Sequence, residues 1–570
     1  MPGFFDSINA TSDVINVDLI PLNITKNVRN EYEDFGLGDV GIPEHPGASG
    51  EDNDLINAMD ELNEFGDNKK DPFQGKPNFF TEQRQRNRRK FMPPQREHED
   101  LYDERYQIRL GPKRLEQFGE QAVNEYDISG GDGKAPIIET FDECGFSDEL
   151  VNNLRMRGYE DPLPIQKCII PMIQHKEHDI VAHAQTGTGK TAAFMLPIVD
   201  WIERYKKKMK IDRNGGSPYA IVVAPSKELA SQLCDDARSF AECTNVSIVV
   251  SYGDMPMNES IRAINYGCDI FVGTCGRLLH FIDVGCLKLE KMRFFVLDEA
   301  DTLLKENMIG PILELKKHKN LNQYHRTFMF SATMSETVQN LTKEIVKPDH
   351  FHVIIGTLNK AADTVKQTFM EVNKYKKYDE LIQILTSNAK EMKRDDDTTY
   401  LSIEKTLVFV ERRRRSDWLA LKLAQYGFNV ISINGDRTLQ QRWDAREKFI
   451  KGIYQIVVAT DLAARGLNFP GVSHVINFDL PEQEHLNYIH RIGRTGRAGN
   501  VGQATSFFDP QSDDDRRNAK FYVETLKSAR QSVPDFLRSQ ANCKDRQMSE
   551  IGRKLGSFRG ITKFKNEDWF

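Results

Sequence analysis

Cysteine is scarce, 8 in 570 residues, and no two form a Cys-x-x-Cys pair. That argues against a disulfide framework and a cysteine-rich zinc site, and it suits a reducing compartment. No apolar run approaches the roughly 20 residues that span a bilayer. The opening, Met1-Pro-Gly-Phe-Phe-Asp6, lacks the charged stretch and long apolar stretch of a secretory leader. A soluble intracellular protein with no membrane partner is expected. Positive charge is short overall, with a formal net charge of −7. The deficit is local, because residues 1–134 carry 27 Asp and Glu against 16 Lys and Arg. The remainder is mildly basic. An acidic arm on such a body is compatible with a nucleic-acid partner and does not by itself establish one.

The chain is too long for one hydrophobic core, so more than one domain is expected. Residues 1–134 are rich in Asn, Asp, Glu, Gly and Pro and read as a mostly disordered acidic arm. Within it Arg84, Arg86, Arg88, Arg89 and Lys90 sit among Phe79, Phe80 and Phe91, either as an auxiliary RNA contact or as a solvated segment. A short helix is expected over 102–122. From 135 to 355, β-branched runs alternate with helical stretches. The strands expected are Ala220–Ala224, Val246–Ser251, Asp269–Val272, Phe294–Leu297 and Thr327–Phe330. A linker over 356–365 leads to a second series over 366–510, at Thr406–Val410, Val430–Ile433, Gln455–Ala459, His474–Asn477 and Ala504–Phe508. Strands separated by helices predict parallel sheets covered on both faces, so the fold class is α/β with two tandem domains. Glu391–Glu404 reads as a polar surface insertion. A C-terminal tail, 511–570, carries a helical stretch near Arg517–Arg530.

Two motifs carry chemistry. Ala184-Gln185-Thr186-Gly187-Thr188-Gly189-Lys190-Thr191 follows the apolar run Asp179-Ile-Val-Ala182. A Gly-rich turn between strand and helix presents backbone N–H groups to phosphates, and its Lys reaches the outer phosphates. Asp298-Glu299-Ala300-Asp301 closes the run Phe294–Leu297. Carboxylates at a strand end can hold Mg²⁺ and position a water. Thr191 and Asp298 are the metal candidates, and Glu299 is the candidate to orient and deprotonate the attacking water. A nucleoside triphosphate with Mg²⁺ is expected, and the resemblance described next implies that the nucleotide is ATP.

The loop has Ala184 where the general phosphate-loop pattern has its first Gly. Taken with Asp298–Asp301, Ser331-Ala332-Thr333 and His490-Arg-Ile-Gly-Arg-Thr-Gly-Arg497, in that order, the chain from about Phe141 to Pro510 resembles a DEAD-box ATP-dependent RNA helicase of superfamily 2. The resemblance implies two RecA-like domains. Gly158-Tyr-Glu-Asp-Pro-Leu-Pro-Ile-Gln166 resembles the family's adenine-reading segment, with Phe141 as the upstream aromatic and Leu163 where Thr or Ser is usual. Arg494 and Arg497 are similar to arginine fingers that reach the γ-phosphate when the domains close. Ser331, Ala332, Thr333, Arg465, His490 and Arg491 resemble residues that knit the two domains together. Asn468 stands in place of an Asp that contacts the ATP ribose.

Pro225-Ser226-Lys227-Glu-Leu-Ala230, Gly253-Asp254 and Thr274-Cys-Gly276-Arg277 resemble the family's RNA-backbone grips, with Lys227 for Arg, Asp254 for Gly and Cys275 for Pro. On the second domain Arg437 and Thr460 fit similar roles, and Asn434 replaces a His. Contacts of this kind hold single-stranded RNA or a short duplex without reading bases. Asn500, Ala504–Pro510 and Gln531–Leu537 resemble the Vasa branch, which is tied to germ granules and small-RNA pathways, although the arm lacks Arg-Gly-Gly repeats and zinc knuckles. The expectation is a monomeric RNA helicase of the cytoplasm or perinuclear granules, with partner proteins of those pathways recruited by the arm. An ATP-gated RNA clamp with slow hydrolysis is the rival reading. A DNA translocase is disfavoured by the intact Asp298–Asp301 and Gln166.

Overall fold

A computed structural model describes residues 101–103, 105, 126–133, 135–184, 187–305, 308–333, 336–356, 364–393, 399–461, 467–482, 486–497 and 500–542. The basic run at 84–90, most of the helix expected at 102–122 and the last part of the tail lie outside these residues.

The first domain is an eight-stranded sheet ordered β1-β8-β2-β7-β6-β3-β5-β4. Its strands are β1 (Tyr126–Gly130), β2 (Ile180–His183), β3 (Ala220–Val223), β4 (Ile248–Ser251), β5 (Ile270–Gly273), β6 (Phe294–Leu297), β7 (Arg326–Ser331) and β8 (Phe351–Ile355). Only β1 runs antiparallel, against β8. In the inner strands successive side chains enter opposite cores. Ala220 and Val222 join one buried cluster, and Ile221 and Val223 join the other. Burial on both faces is why these runs are continuously apolar rather than alternating.

The second domain is an all-parallel six-stranded sheet ordered β13-β14-β12-β15-β16-β9. It comprises β9 (Val365–Glu371), β12 (Thr406–Phe409), β13 (Val430–Ile433), β14 (Ile456–Ala459), β15 (His474–Asn477) and β16 (Gly502–Phe508). The remaining pair, β10 (Lys390–Lys393) and β11 (Thr399–Ser402), is an antiparallel hairpin within the expected polar insertion.

Seven helices matter below: α1 (Pro164–His175), α2 (Lys190–Met209), α3 (Lys227–Ala241), α4 (Cys275–Asp283), α5 (Leu439–Ile450), α6 (Leu486–Ile492) and α7 (Asp513–Ser528).

The ends of the domains differ from expectation. Tyr126–Gly130, assigned to the arm, is an edge strand of the first sheet. Farther back, Leu101 is buried, and the Tyr102 hydroxyl donates to the Ser239 carbonyl at 2.8 Å. Val365, assigned to the linker, opens β9, and the adjacent Thr364 hydroxyl donates to the Gly496 carbonyl at 2.6 Å. The tail is no appendage. Tyr522 and Leu526 of α7, with Leu537 beyond it, share a core with Val365, Phe369, Tyr488 and Phe508. No helix among the described residues is long and apolar enough to cross a membrane.

Candidate active site in the interdomain cleft

Apart from the segment Gly158–Gln166, which leads into α1, the motifs singled out in the first domain lie at the C-terminal ends of its strands, where open α/β sheets bind ligands. The phosphate loop follows β2, and Lys190 opens α2. Gly187 and Gly189 hold φ of +83° and +85°, a backbone that L side chains rarely adopt. A Cβ on Gly189 would also lie 2.5 Å from Gln166 Nε2. The buried Lys190 ammonium donates to the Ala184 carbonyl at 2.8 Å, so this cation has a neutral partner. Gln185 and Thr186 lie outside the described residues. Thr188 and Thr191 stand within the loop and at its helix start.

Gln166 sits on the first turn of α1. Its Oε1 accepts from the Leu163 N–H at 2.8 Å, and its Nε2 donates to the Gly189 carbonyl at 3.2 Å. The amide thus ties the segment before α1 to the phosphate loop. Phe141 is buried and meets Tyr159 edge-on, ring centroids 6.4 Å apart.

Asp298 and Glu299 follow β6. The Glu299 N–H donates to Asp298 Oδ1 at 3.0 Å, and Glu299 holds a left-handed φ of +49°. Burial raises the Asp298 pKa and pushes that of Glu299 to about 7, with Arg494 opposing the shift and Asp298 adding to it. Asp301 accepts from the Thr333 hydroxyl at 2.8 Å, while the Ser331 hydroxyl donates to the Thr333 carbonyl at 2.7 Å. Ala332 lies between them on the same turn.

The second domain closes onto this edge. His490 Nε2 lies 3.7 Å from Asp301 Oδ2, so Asp301, Thr333 and His490 form one chain across the cleft. A Cβ on Gly187 would lie 2.9 Å from Arg497 Cγ, which puts Arg497 against the phosphate loop. Arg494 is buried, donates to the Leu467 carbonyl at 2.8 Å and acts on the charge of Glu299. Arg497 donates to Asn468 Oδ1 at 2.6 Å. Burial, with Arg494 nearby, lowers its pKa to about 9.

Arg491 departs from expectation. It is pinned within its own domain by Asp461, at 2.5 and 2.8 Å, and by the Asp479 carbonyl at 2.5 Å. It braces the strand ends rather than crossing the cleft. Arg465 lies outside the described residues.

Sequence reasoning missed two clamps on α3. Glu228 pairs with Arg442 of α5 at 2.7 Å, and Gln232 Oε1 accepts from the Asn468 N–H at 3.1 Å. Glu228 and Gln232 stand four residues apart on one helix face, a polar pair on an otherwise half-buried helix, and that spacing was the available signal.

The residues expected to grip an RNA backbone follow neighbouring strands of the two sheets. Pro225 and Ser226 follow β3, and Ser226 caps α3 by accepting from the Leu229 N–H at 3.1 Å. Gly253 follows β4. Thr274 leads α4, and a Cβ on Gly276 would meet nothing within 4 Å. Arg277 donates to the Met255 carbonyl at 3.2 Å. In the second domain Arg437 is buried and bound to Asp417 at 2.9 Å and to the Ser432 hydroxyl at 2.7 Å, so it braces the loop after β13 instead of presenting a bare cation. Asn434 joins the same network through Asp417 at 2.9 Å. Thr460 is buried after β14, and its Oγ1 has no hydrogen-bond partner among the described residues.

The groups lining the cleft fit a magnesium nucleotide. Cations and carboxylates face one another desolvated, with Lys190 on a carbonyl and Glu299 pushed toward neutrality. A polyphosphate with its cation supplies both missing signs. Among the described residues no three His, Cys, Asp or Glu side chains assemble a metal site alone. Thr191 and Asp298 would therefore hold the ion jointly with phosphate oxygens.

Fold and cleft together define a two-domain protein with a phosphate loop and acidic strand end on one side and arginines on the other. Comparison with known proteins agrees. The DEAD/DEAH box helicase model matches residues 163–341, and the helicase conserved C-terminal domain model matches 376–499. The chain belongs to the DEAD-box helicase family. It is 40% identical over 412 residues to the ATP-dependent RNA helicase vasa of Drosophila melanogaster, covering 72% of this chain and 59% of that protein. It is 37% identical over 454 residues to the human probable ATP-dependent RNA helicase DDX4, covering 79% of this chain and 59% of that one. The chain thus spans 59% of the length of these relatives. Among solved structures, yeast (S. cerevisiae) Dbp5 bound to RNA and ADP BeF3 superposes with a TM-score of 0.57 at 27% identity, covering 72% of this chain and 99% of that one.

Proposed function

We propose that this protein is an ATP-dependent RNA helicase that hydrolyses ATP between its two domains and locally separates short RNA duplexes. The observation that carries the proposal is Glu299. It is a half-buried carboxylate whose pKa is raised to about 7, next to Asp298 and within the field of Arg494 from the opposite domain. A general base works best with a pKa near the operating pH, and phosphoryl transfer asks mainly for positioning and charge stabilisation.

In this reading Lys190 and the N–H groups of the loop hold the outer phosphates, and Gln166 binds adenine through its amide while anchored to Gly189. Bound Mg²⁺ supplies charge neutralisation at the phosphates. Glu299 takes the proton of the attacking water. Arg494 and Arg497 stabilise the charge that builds on the γ-phosphoryl group, so turnover needs the closed cleft. His490, Asp301 and Thr333 carry closure from one domain to the other. Ser226, Lys227, Thr274 and Arg277 grip backbone phosphates, so recognition ignores base sequence. In the same reading the protein serves germline RNA silencing in cytoplasmic or perinuclear granules, as a monomer whose arm recruits partners.

RNA-stimulated ATPase and short-duplex unwinding test the reading, with Glu299→Gln as the comparison. Stimulation by RNA and not by DNA is expected, with a turnover loss of about 100-fold or more in the variant and RNA binding retained. A wild type that binds RNA but neither hydrolyses ATP nor unwinds would leave the clamp reading. That rival draws on Leu163, Asp254 and Asn468, all of which depart from the family pattern.

A further inference from the structure

Three loops at the C-terminal edge of the first sheet, after β3, β4 and β5, bring two cations together, Lys227 and Arg277. Arg277 is held by the Met255 carbonyl at 3.2 Å and lies within the field of Asp254. Lys227 is tied directly, because its ammonium donates to Asp254 Oδ2 in an ion pair. Asp254 lies in a turn after β4 and holds φ +73°, a left-handed backbone natural to glycine and tolerated by Asp and Asn. The turn is anchored on both sides by the buried Tyr252 and Met255. The carboxylate is therefore presented to Lys227 by a rigid scaffold. It keeps a place beside two cations although the backbone there favours a residue without a side chain.

We propose that the Asp254 carboxylate is a built-in phosphate mimic that occupies Lys227 until an RNA backbone phosphate displaces it. This deepens the RNA-helicase reading and rests on it. The pair is half exposed, so its own strength is small and a phosphate can compete for the Lys. What the pair changes is the net gain on binding. A Lys already neutralised releases little when it meets a phosphate, so RNA affinity is lowered and its salt dependence flattened. The device makes the first domain's hold on RNA loose and concentrates tight binding in the closed, ATP-loaded state, where both domains contribute.

The test uses the full chain, a fluorescent oligouridylate and a non-hydrolysable ATP analogue, with affinity read by anisotropy across a salt series. Asp254→Asn removes the charge while keeping a residue that tolerates the turn, and Asp254→Gly relieves the backbone as well. Both are expected to bind RNA about three- to tenfold more tightly at low salt, and the slope of log affinity against log salt should steepen by about 0.7, the value of one recovered single-strand contact. Adding Lys227→Ala to Asp254→Asn should erase the gain. Unchanged affinity and slope in both variants, or weaker binding, overturns the proposal while leaving the helicase reading intact. A chain that binds no RNA in any of these forms removes both, which separates the two failures.

Discussion

The half-buried Glu299 makes a prediction about stability that needs no substrate. Its pKa rises from an ordinary 4.5 to about 7 because burial disfavours the charged form more than Arg494 favours it. Below 4.5 the carboxyl is protonated in both folded and unfolded chains. Between 4.5 and 7 the unfolded chain releases its proton and the folded chain keeps it, so the unfolded state binds fewer protons and stability falls as pH rises. Above 7 both forms are ionised and the loss is complete. A gap of about 2.5 pH units at about 1.4 kcal/mol each amounts to ~3 kcal/mol. Glu299→Gln mimics the protonated form at every pH. The variant is expected to match wild type near pH 4 and to exceed it by up to about 3 kcal/mol near pH 8, measured by urea unfolding of the first domain. Glu411 and Asp515 also have raised pKa values, of about 7 and 6, but they are present in both proteins and drop out of the difference. If the variant gains nothing at pH 8, or its gain does not shrink toward pH 4, the carboxylate is not held in a desolvated cleft. The case for it as a tuned base then fails with it.

Two further predictions concern positioning and packing. Gln166→Ala removes the acceptor of the Leu163 N–H and the donor to the Gly189 carbonyl, so the phosphate loop should lose its brace. The first domain should lose about 2 kcal/mol, one per hydrogen bond, and KM for ATP should rise more than kcat falls; an unchanged KM would mean the amide serves packing alone. Leu526→Ala opens a hole in a fully buried position beneath the second sheet and should cost that domain about 2–5 kcal/mol, while a chain cut after Pro510 should fail to fold it. Intact folding of the cut chain, followed by circular dichroism, would show that the tail is dispensable.

The inner strands were legible because a parallel sheet buried on both faces demands contiguous apolar residues. Phe294–Leu297, Val430–Ile433 and His474–Asn477 appear where the sequence places them. The edges were not legible for the complementary reason. In β9 Val365, Gln367 and Phe369 are buried while Lys366 and Thr368 face out, so the run alternates and merges with the linker. Tyr126–Gly130 carries Asp, Ser and Gly on an edge, where half its surface meets water, and it reads as arm. The tail hid its core contacts because α7 opens with Asp513, Asp514 and Asp515, acids that favour a helix N-terminus and mask the apolar face behind them.

For the site, residue identity was legible and residue partnership was not. The motifs that approach phosphate are defined by residue type, and the fold delivers Lys190, Asp298, Glu299, Arg494 and Arg497 to one cleft. Arg437 and Arg491 carry the same charge and sit in motifs of the same kind, yet each is consumed by a carboxylate of its own domain, Asp417 and Asp461. Nothing in the spacing of an arginine says which anion it will meet, because Asp417 arrives from the helix Arg413–Gln425 and Asp461 from the end of β14. Lys227 and Asp254 are the sharpest instance. Twenty-seven positions apart in sequence, they read separately as a mild replacement and a lost glycine. Only the turn after β4, closing with φ +73° at Asp254, makes them one pair. A departure from pattern at one position and a departure at its spatial neighbour are then a single change, and they should be tested together as well as singly.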